Sequence, residues 1–273
     1  TLETASFLVS SEDTTNLLQS ILQANLFLDR REDAYQFHPF FREALLHKLT
    51  DAERRSLHRK AAVWFETHFQ PEKAILHALA GQDWDCSARL VLDQVQTSFK
   101  KGEIQTLQNW LLQIPETIRA AKPDLQVLQG WVWYWLGKIP EAHQIAQSLA
   151  ECETVSLIQN KGLWAGLRCQ LALVQEQNQS ALELARMALN ETDPSASFIR
   201  GILLSLLASS EQALGDSENA IAHFRQSIKD NRTAGNLLMS FFSLISLGIE
   251  LNELGKRQQA LELCADVLED VSG

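Results

Sequence analysis

The chain has 273 residues, 45% apolar and 21% charged, which is the balance of a folded globular protein and excludes a disordered one. Its net charge of -10 argues against binding along a phosphate backbone. Cysteines at 86, 152, 169 and 264 form no C-x-x-C pair and the seven histidines no H-E-x-x-H, so recognisable zinc and thiol-redox motifs are absent. Leu and Ala make up about a quarter of the residues while Gly numbers 12 and Pro 6, a mix that favours helix over a β-sandwich or barrel. The longest uncharged run, Thr233 to Ile249, is 17 residues with an asparagine and three serines, too short and polar for a membrane span.

In chain order, Thr14 to Ala24 has helical spacing through Leu17, Leu18, Ile21 and Leu22. Leu26-Phe27-Leu28 and Tyr35-Gln36-Phe37 flank a charged turn, Asp29 to Asp33, and read as a β-hairpin. A third element, Phe40 to Leu49, sets Phe41, Leu45 and Leu49 on one face. Helix, hairpin, helix is the end of a small α/β module, best matched by a winged helix. Thr50-Asp51-Ala52-Glu53 has the pattern of a capping box, so a long helix is expected over 51–68. All six prolines (39, 71, 115, 123, 140 and 194) stand where a helix could begin, because the first helical N–H needs no intrahelical partner.

From residue 60 the chain reads as helices joined by short turns, and the turns repeat. Segments beginning at Phe69, Gly102, Gly137, Glu176, Gly215 and Gly255 each run into a small or apolar residue five positions on, at 74, 107, 142, 181, 220 and 260, at intervals of 33, 35, 39, 39 and 40. Seven residues before four of these turns stand Gly130, Cys169, Ala208 and Gly248, all small. Glycine at the turn supplies left-handed backbone, and small residues allow two helices to cross closely. Stacked hairpins of this kind coil into a superhelix with a concave side. The expected fold class is therefore all-α, a tetratricopeptide-like α-α superhelix with a short winged-helix remnant (β-hairpin plus helices) at the N-terminus. The expected domains are 1–50, the C-terminal part of the winged-helix module; 51–122, helical arm hairpins; and 123–273, the sensor superhelix.

Ala24-Asn25-Leu26-Phe27-Leu28 with Tyr35-Gln36-Phe37-His38-Pro39-Phe40-Phe41-Arg42-Glu43 resembles a stretch of the MalT-type (LuxR-like) regulators, transcription activators of the STAND class of signal-transduction ATPases. Pro71-Glu72-Lys73-Ala74-Ile75-Leu76-His77-Ala78-Leu79-Ala80-Gly81-Gln82-Asp83-Trp84 is similar to another stretch, and Gly102-Glu103, Leu107, Trp110-Leu111 and Ile114-Pro115 follow the same family pattern. Glu176 departs from it, standing where a turn glycine is usual. The resemblance implies the arm and sensor region of a cytoplasmic regulator: it binds a small, sugar-like inducer and relieves autoinhibition of an ATPase domain. No G-x-x-x-x-G-K-[ST] occurs here, so ATP is expected to serve the parent protein and no cofactor is expected in this chain.

Five of the seven tryptophans lie in residues 110–164, three of them in Trp131-Val132-Trp133-Tyr134-Trp135. By repeat register the first helices turn Trp131, Tyr134 and Trp135, then Gln170, then Ser205, Ser209 and Gln212, then Asn252 toward the groove, with Trp164 and Arg168 nearby. Flat aromatic faces beside amides and hydroxyls suit a small polar ligand. Trp133 falls at an inward register. Arg168 and Arg200 could grip a carboxylate or phosphate, or pair with acidic neighbours. His38 is read as a structural cap. Ser209, Ser210, Asp216 and His223 are close in sequence but form no nucleophile elbow, and neither catalytic nor metal residues are expected. The alternative to an inducer site is a scaffold that docks a protein partner or self-associates; neither nucleic acid nor membrane is an expected partner.

Overall fold

The computed structural model describes residues 2–9, 14–24, 26–31 and 34–263. Asn25 of the resembling stretch, residues 32–33 of the expected turn, and Cys264 lie outside the described residues. The chain divides into two compact units, residues 1–94 with 112–115, and residues 95–111 with 116–273.

The first unit opens with α1 (Leu2–Val9), which the sequence pattern did not single out, and α2 (Thr14–Gln23). Strands β1 (Leu28–Arg31) and β2 (Ala34–Phe37) pair antiparallel in the register Leu28↔Phe37 to Arg31↔Ala34. Asp29, Arg30 and Arg31, expected in the turn, are thus strand residues: the ladder continues past the apolar positions, and Arg30 lies over the ring of its cross-strand partner Tyr35 at 6.0 Å. Helix α3 (Pro39–Leu46) follows. His38 occupies its N-cap but its side chain makes no capping bond; the imidazole stacks on Phe40 at 5.7 Å instead.

Helix α4 (Asp51–Thr67) starts as expected. Thr50 N–H donates to Glu53 at 2.8 Å, and Glu53 N–H donates to Thr50 Oγ1 at 3.2 Å. It packs on α5 (Pro71–Ala80) through Ala61, Ala62 and Trp64 against Ala74, Ile75, Ala78 and Leu79, all buried. The close approach needs Gly81: a Cβ there would meet Arg59 Cγ at 2.9 Å, and Arg59 Nε donates to the Gly81 carbonyl at 2.9 Å. Helix α6 (Trp84–Lys101) follows, anchored by Arg89, whose guanidinium grips both oxygens of Glu66 at 2.7 and 3.0 Å.

The second unit takes the last turns of α6, most of α7 (Ile104–Gln113) and α8 (Glu116–Ala121), then a run of hairpins: α9 (Pro123–Trp135) with α10 (Ile139–Ala150), α11 (Lys161–Val174) with α12 (Asn178–Glu191), and α13 (Ser197–Ala213) with α14 (Ser217–Thr233). Helix α15 (Leu237–Glu253) begins another. Helix α9 packs on α11, α11 on α13 and α13 on α15, so each hairpin leans on the next. The core follows the predicted crossings: Ala142, Ala181 and Ala220 are fully buried, and the Cys169 thiol donates to the Ala181 carbonyl at 3.3 Å. Burial pushes that thiol up to about 12. Gly248 differs, since a Cβ there would meet nothing within 4 Å. Four prolines fall in the first turn of a helix and Pro115 just before α8, but Pro194 lies in a turn three residues ahead of α13, where Asp193 accepts from Ser195 N–H at 2.7 Å.

The six turns share one backbone feature. Gly102, Gly137, Gly215 and Gly255 have φ of 72 to 81°, and the two departures from glycine do the same, Phe69 at 55° and Glu176 at 59°. A side chain at such a φ costs about 1 kcal/mol. Glu176→Gly should therefore raise the stability of the second unit by about 0.5–1 kcal/mol, and Gly215→Ala should lower it by about 1 kcal/mol, read from denaturant midpoints.

His58 and His77 meet Nδ1 to Nδ1 at 2.8 Å. Burial holds both imidazoles below their usual range, assisted by Arg54 at His58, and by His58 and Lys73 at His77. The fold prefers both neutral, so as pH falls below about 6.5 the unfolded chain binds protons first. Stability present above that pH is lost below it. The melting midpoint of wild type should fall between pH 7 and 5 more steeply than that of His77→Gln, followed by circular dichroism.

Candidate functional site

The first helices of the second unit carry the residues singled out from sequence, but rotation about each helix axis separates them into two sets. Trp131 is 4% exposed; its Nε1–H donates to the Leu163 carbonyl of α11 at 2.9 Å, and a Cβ at Gly166 would stand 3.3 Å from its ring. It is a spacer between two hairpins rather than a groove residue, because its indole fills the gap left by Gly166. Trp164 is also buried, at 7%, while Arg168 is exposed and lies over the Trp164 ring at 5.6 Å. Trp133 packs partly buried against the same core, as its register required.

Tyr134 and Trp135 stay partly exposed. Their rings meet edge-on at 5.8 Å, and Tyr134 meets Trp131 edge-on at 6.2 Å. Burial raises the Tyr134 hydroxyl above its ordinary pKa. Trp135 also touches Phe99 of α6 at 6.5 Å and Phe242 of α15 at 5.7 Å. An aromatic chain thus joins the first helix of the run to the last, and Phe242 remains 41% exposed. Phe99 and Phe242 escaped the sequence reading: they stand 36 residues before and 107 after Trp135, and no spacing rule links them.

Among the polar candidates, Gln170, Ser209 and Gln212 are half-buried and Asn252 is exposed. Ser205 does not reach the groove: it is 8% exposed and belongs to a buried chain of hydroxyls and amides. Ser243 Oγ bonds Ser205 Oγ at 3.1 Å and Ser227 Oγ at 2.9 Å; Ser227 donates to the Gly201 carbonyl at 2.7 Å, and Asn231 donates to Ser227 at 3.1 Å. This network satisfies polar groups where α13, α14 and α15 meet, so its removal would leave buried donors unpaired. Arg200 pairs with Asp230 at 3.5 Å and does not join Arg168. Ser210 bonds the Leu206 carbonyl, Asp216 caps α14, and His223 pairs with Glu211, so these three are each engaged separately. Among the described residues, no group of three or more His, Cys, Asp or Glu could hold a metal, and no helix is long and apolar enough to cross a membrane.

On the second-helix side lies a cleft of about 340 Å³ between α12 and α14. Arg186, Asn190, Glu211, Asn219 and His223 line it over Leu189 and Leu207. Three helices contribute to it, and no motif in the sequence marks it.

The architecture defines the class: a winged-helix segment followed by helical hairpins of the tetratricopeptide type. Residues 1–57 match the family model of the MalT winged helix domain. Over 269 residues the chain is 26% identical to the HTH-type transcriptional regulator MalT of Vibrio parahaemolyticus, covering 94% of this chain and 30% of that protein. It is 27% identical over 235 residues to MalT of Vibrio campbellii, covering 81% and 26%. The chain spans under a third of the length of these curated relatives. The crystal structure of a signal transduction ATPase with numerous domains (STAND) that carries a tetratricopeptide repeat sensor, from Pyrococcus horikoshii, superposes with a TM-score of 0.60 at 13% identity, over 97% of this chain and 47% of that one. The chain is thus similar in sequence to MalT-type regulators, and its fold is that of the solved structure with a tetratricopeptide repeat sensor.

The two sets of aromatic residues should respond differently to truncation. Trp131→Ala should destabilise the second unit by about 3–5 kcal/mol, whereas Trp135→Ala should cost less than half as much, measured by urea denaturation.

Proposed function

We propose that this chain is the signal-sensing region of a STAND-class, ATP-dependent transcriptional regulator. In this reading a small polar inducer rests on Tyr134 and Trp135, with Arg168, Gln170, Ser209, Gln212 and Asn252 as the candidates for its hydrogen bonds. Trp131, Trp164 and Ser205 support that face from within. The supporting observation is the partly exposed contact of Trp135 with Phe242, which ties α9 to α15. A ligand that inserts at or braces this contact binds one hairpin arrangement better than another, and so shifts the population between them. In the parent protein that shift would relieve autoinhibition of an ATPase domain, which would bind the ATP; the setting proposed is the cytoplasm. Stacking of a sugar-like ring on Trp135 would orient the inducer, and the polar groups would select it.

A protein-docking reading has one observation in its favour. Leu238, Phe242, Ile245 and Ile249 form an exposed apolar stripe on α15.

A thermal-shift screen of sugars, nucleotides and amino acids separates the two. The sensor reading expects one compound to stabilise the chain by about 2.7 kcal/mol at 100 times its Kd. Trp135→Ala and Arg168→Ala should each weaken that compound at least tenfold. No shift from any compound, together with capture of a protein through the α15 stripe, would favour docking.

A further inference from the structure

We infer that the cleft between α12 and α14 is a second ligand site, one that accepts the oxyanion group of a small organic anion or phosphate across the seam between two hairpins. Its base is Glu211 at the end of α13, a carboxylate only 1% exposed. His223 Nδ1–H of α14 donates to it at 2.7 Å, and Arg186 Nη2 of α12 lies 3.7 Å from its other oxygen. A buried carboxylate fixed in this way orients the two side chains that do reach the opening. Arg186 is 56% exposed and touches Glu211 only at long range, so most of its planar fork of donors faces outward. His223 is one third exposed, and with Nδ1 committed to Glu211 its Nε2 edge is the one left for a ligand.

The chemistry at the mouth selects for an anion. Glu211 is only 1% exposed, and both its oxygens already have partners, His223 on one and Arg186 on the other. The exposed guanidinium offers the bidentate geometry that carboxylate and phosphate share. Asn219 spends its amide N–H on Asp216 at 2.8 Å, which also turns that carboxylate toward the α14 cap. Leu189 and Leu207 give an apolar wall, and about 340 Å³ is at the small end of ligand pockets. Because Arg186 belongs to the α11–α12 hairpin and Glu211 and His223 to the next, an anion held by both would fix the angle between them. Occupancy of the cleft does not depend on the groove reading; only its coupling to sensing does.

The test is a calorimetric titration of the intact chain with inorganic phosphate and, separately, with succinate, at ionic strength held constant with sodium chloride. The expected result is saturable one-to-one binding of at least one anion, weakened tenfold or more in Arg186→Gln and in His223→Gln. Arg225→Gln, an exposed charge of α14 that does not line the cleft, should bind as wild type does. Phosphate alone, succinate alone, or both would distinguish the source of the oxyanion. Absence of saturable binding by either anion overturns the proposal, and so does equal weakening by Arg225→Gln, which would mean diffuse charge attraction. Tyr134 and Trp135 stay intact in all of these proteins, so a failure here leaves the groove reading untouched.

Discussion

The reversal of backbone after each first helix is the constraint on which the hairpin run depends. A helix that ends in left-handed conformation turns its chain back within a few residues, so the next helix lies antiparallel on the one before. All six reversals use it, and two do so without glycine. That Phe69 and Glu176 are held at positive φ shows tertiary packing overriding local preference: the burial of Ala74 and Ala181 five residues on fixes the crossing, and the turn must follow. Spacing, rather than the identity of the turn residue, carries the architecture.

The sequence therefore disclosed the hairpins well and the faces of the helices poorly. Interval and small-residue position mark where helices begin, end and cross, because those depend on backbone. Which side chain reaches the groove depends on rotation, at 100° per residue, and on what the neighbouring hairpin leaves open. Trp131 is buried because residue 166 of the next helix is glycine, and Ser205 because Ser243 comes to meet it. Both facts are pairwise and lie 35 and 38 residues away from the residue they decide. In the N-terminal unit the apolar alternation ended at Leu28, yet backbone pairing carried the strand to Arg31, which hydropathy alone does not encode.

Two kinds of seam hold the second unit together. Between α9 and α11 the seam is aromatic, with an indole filling the space over a glycine. Between α13 and α15 it is polar, a closed set of hydroxyls and amides with defined partners. The aromatic seam carries the Trp131 to Leu163 hydrogen bond, while the polar seam is fixed by several. The aromatic chain from Phe99 through Trp135 to Phe242 lies apart from both seams and is partly exposed. Its partial exposure and its reach from α9 to α15 are what recommend it as the contact on which the proposed inducer would act.

Fluorine NMR of the chain labelled with 5-fluorotryptophan tests this account most directly, with the seven indoles assigned by single Trp→Phe substitutions and the stabilising compound added stepwise. The account predicts that the Trp135 resonance moves furthest and that Trp64 and Trp84, in the first unit, stay in place. A Trp135 signal that does not respond while the compound still binds would contradict it.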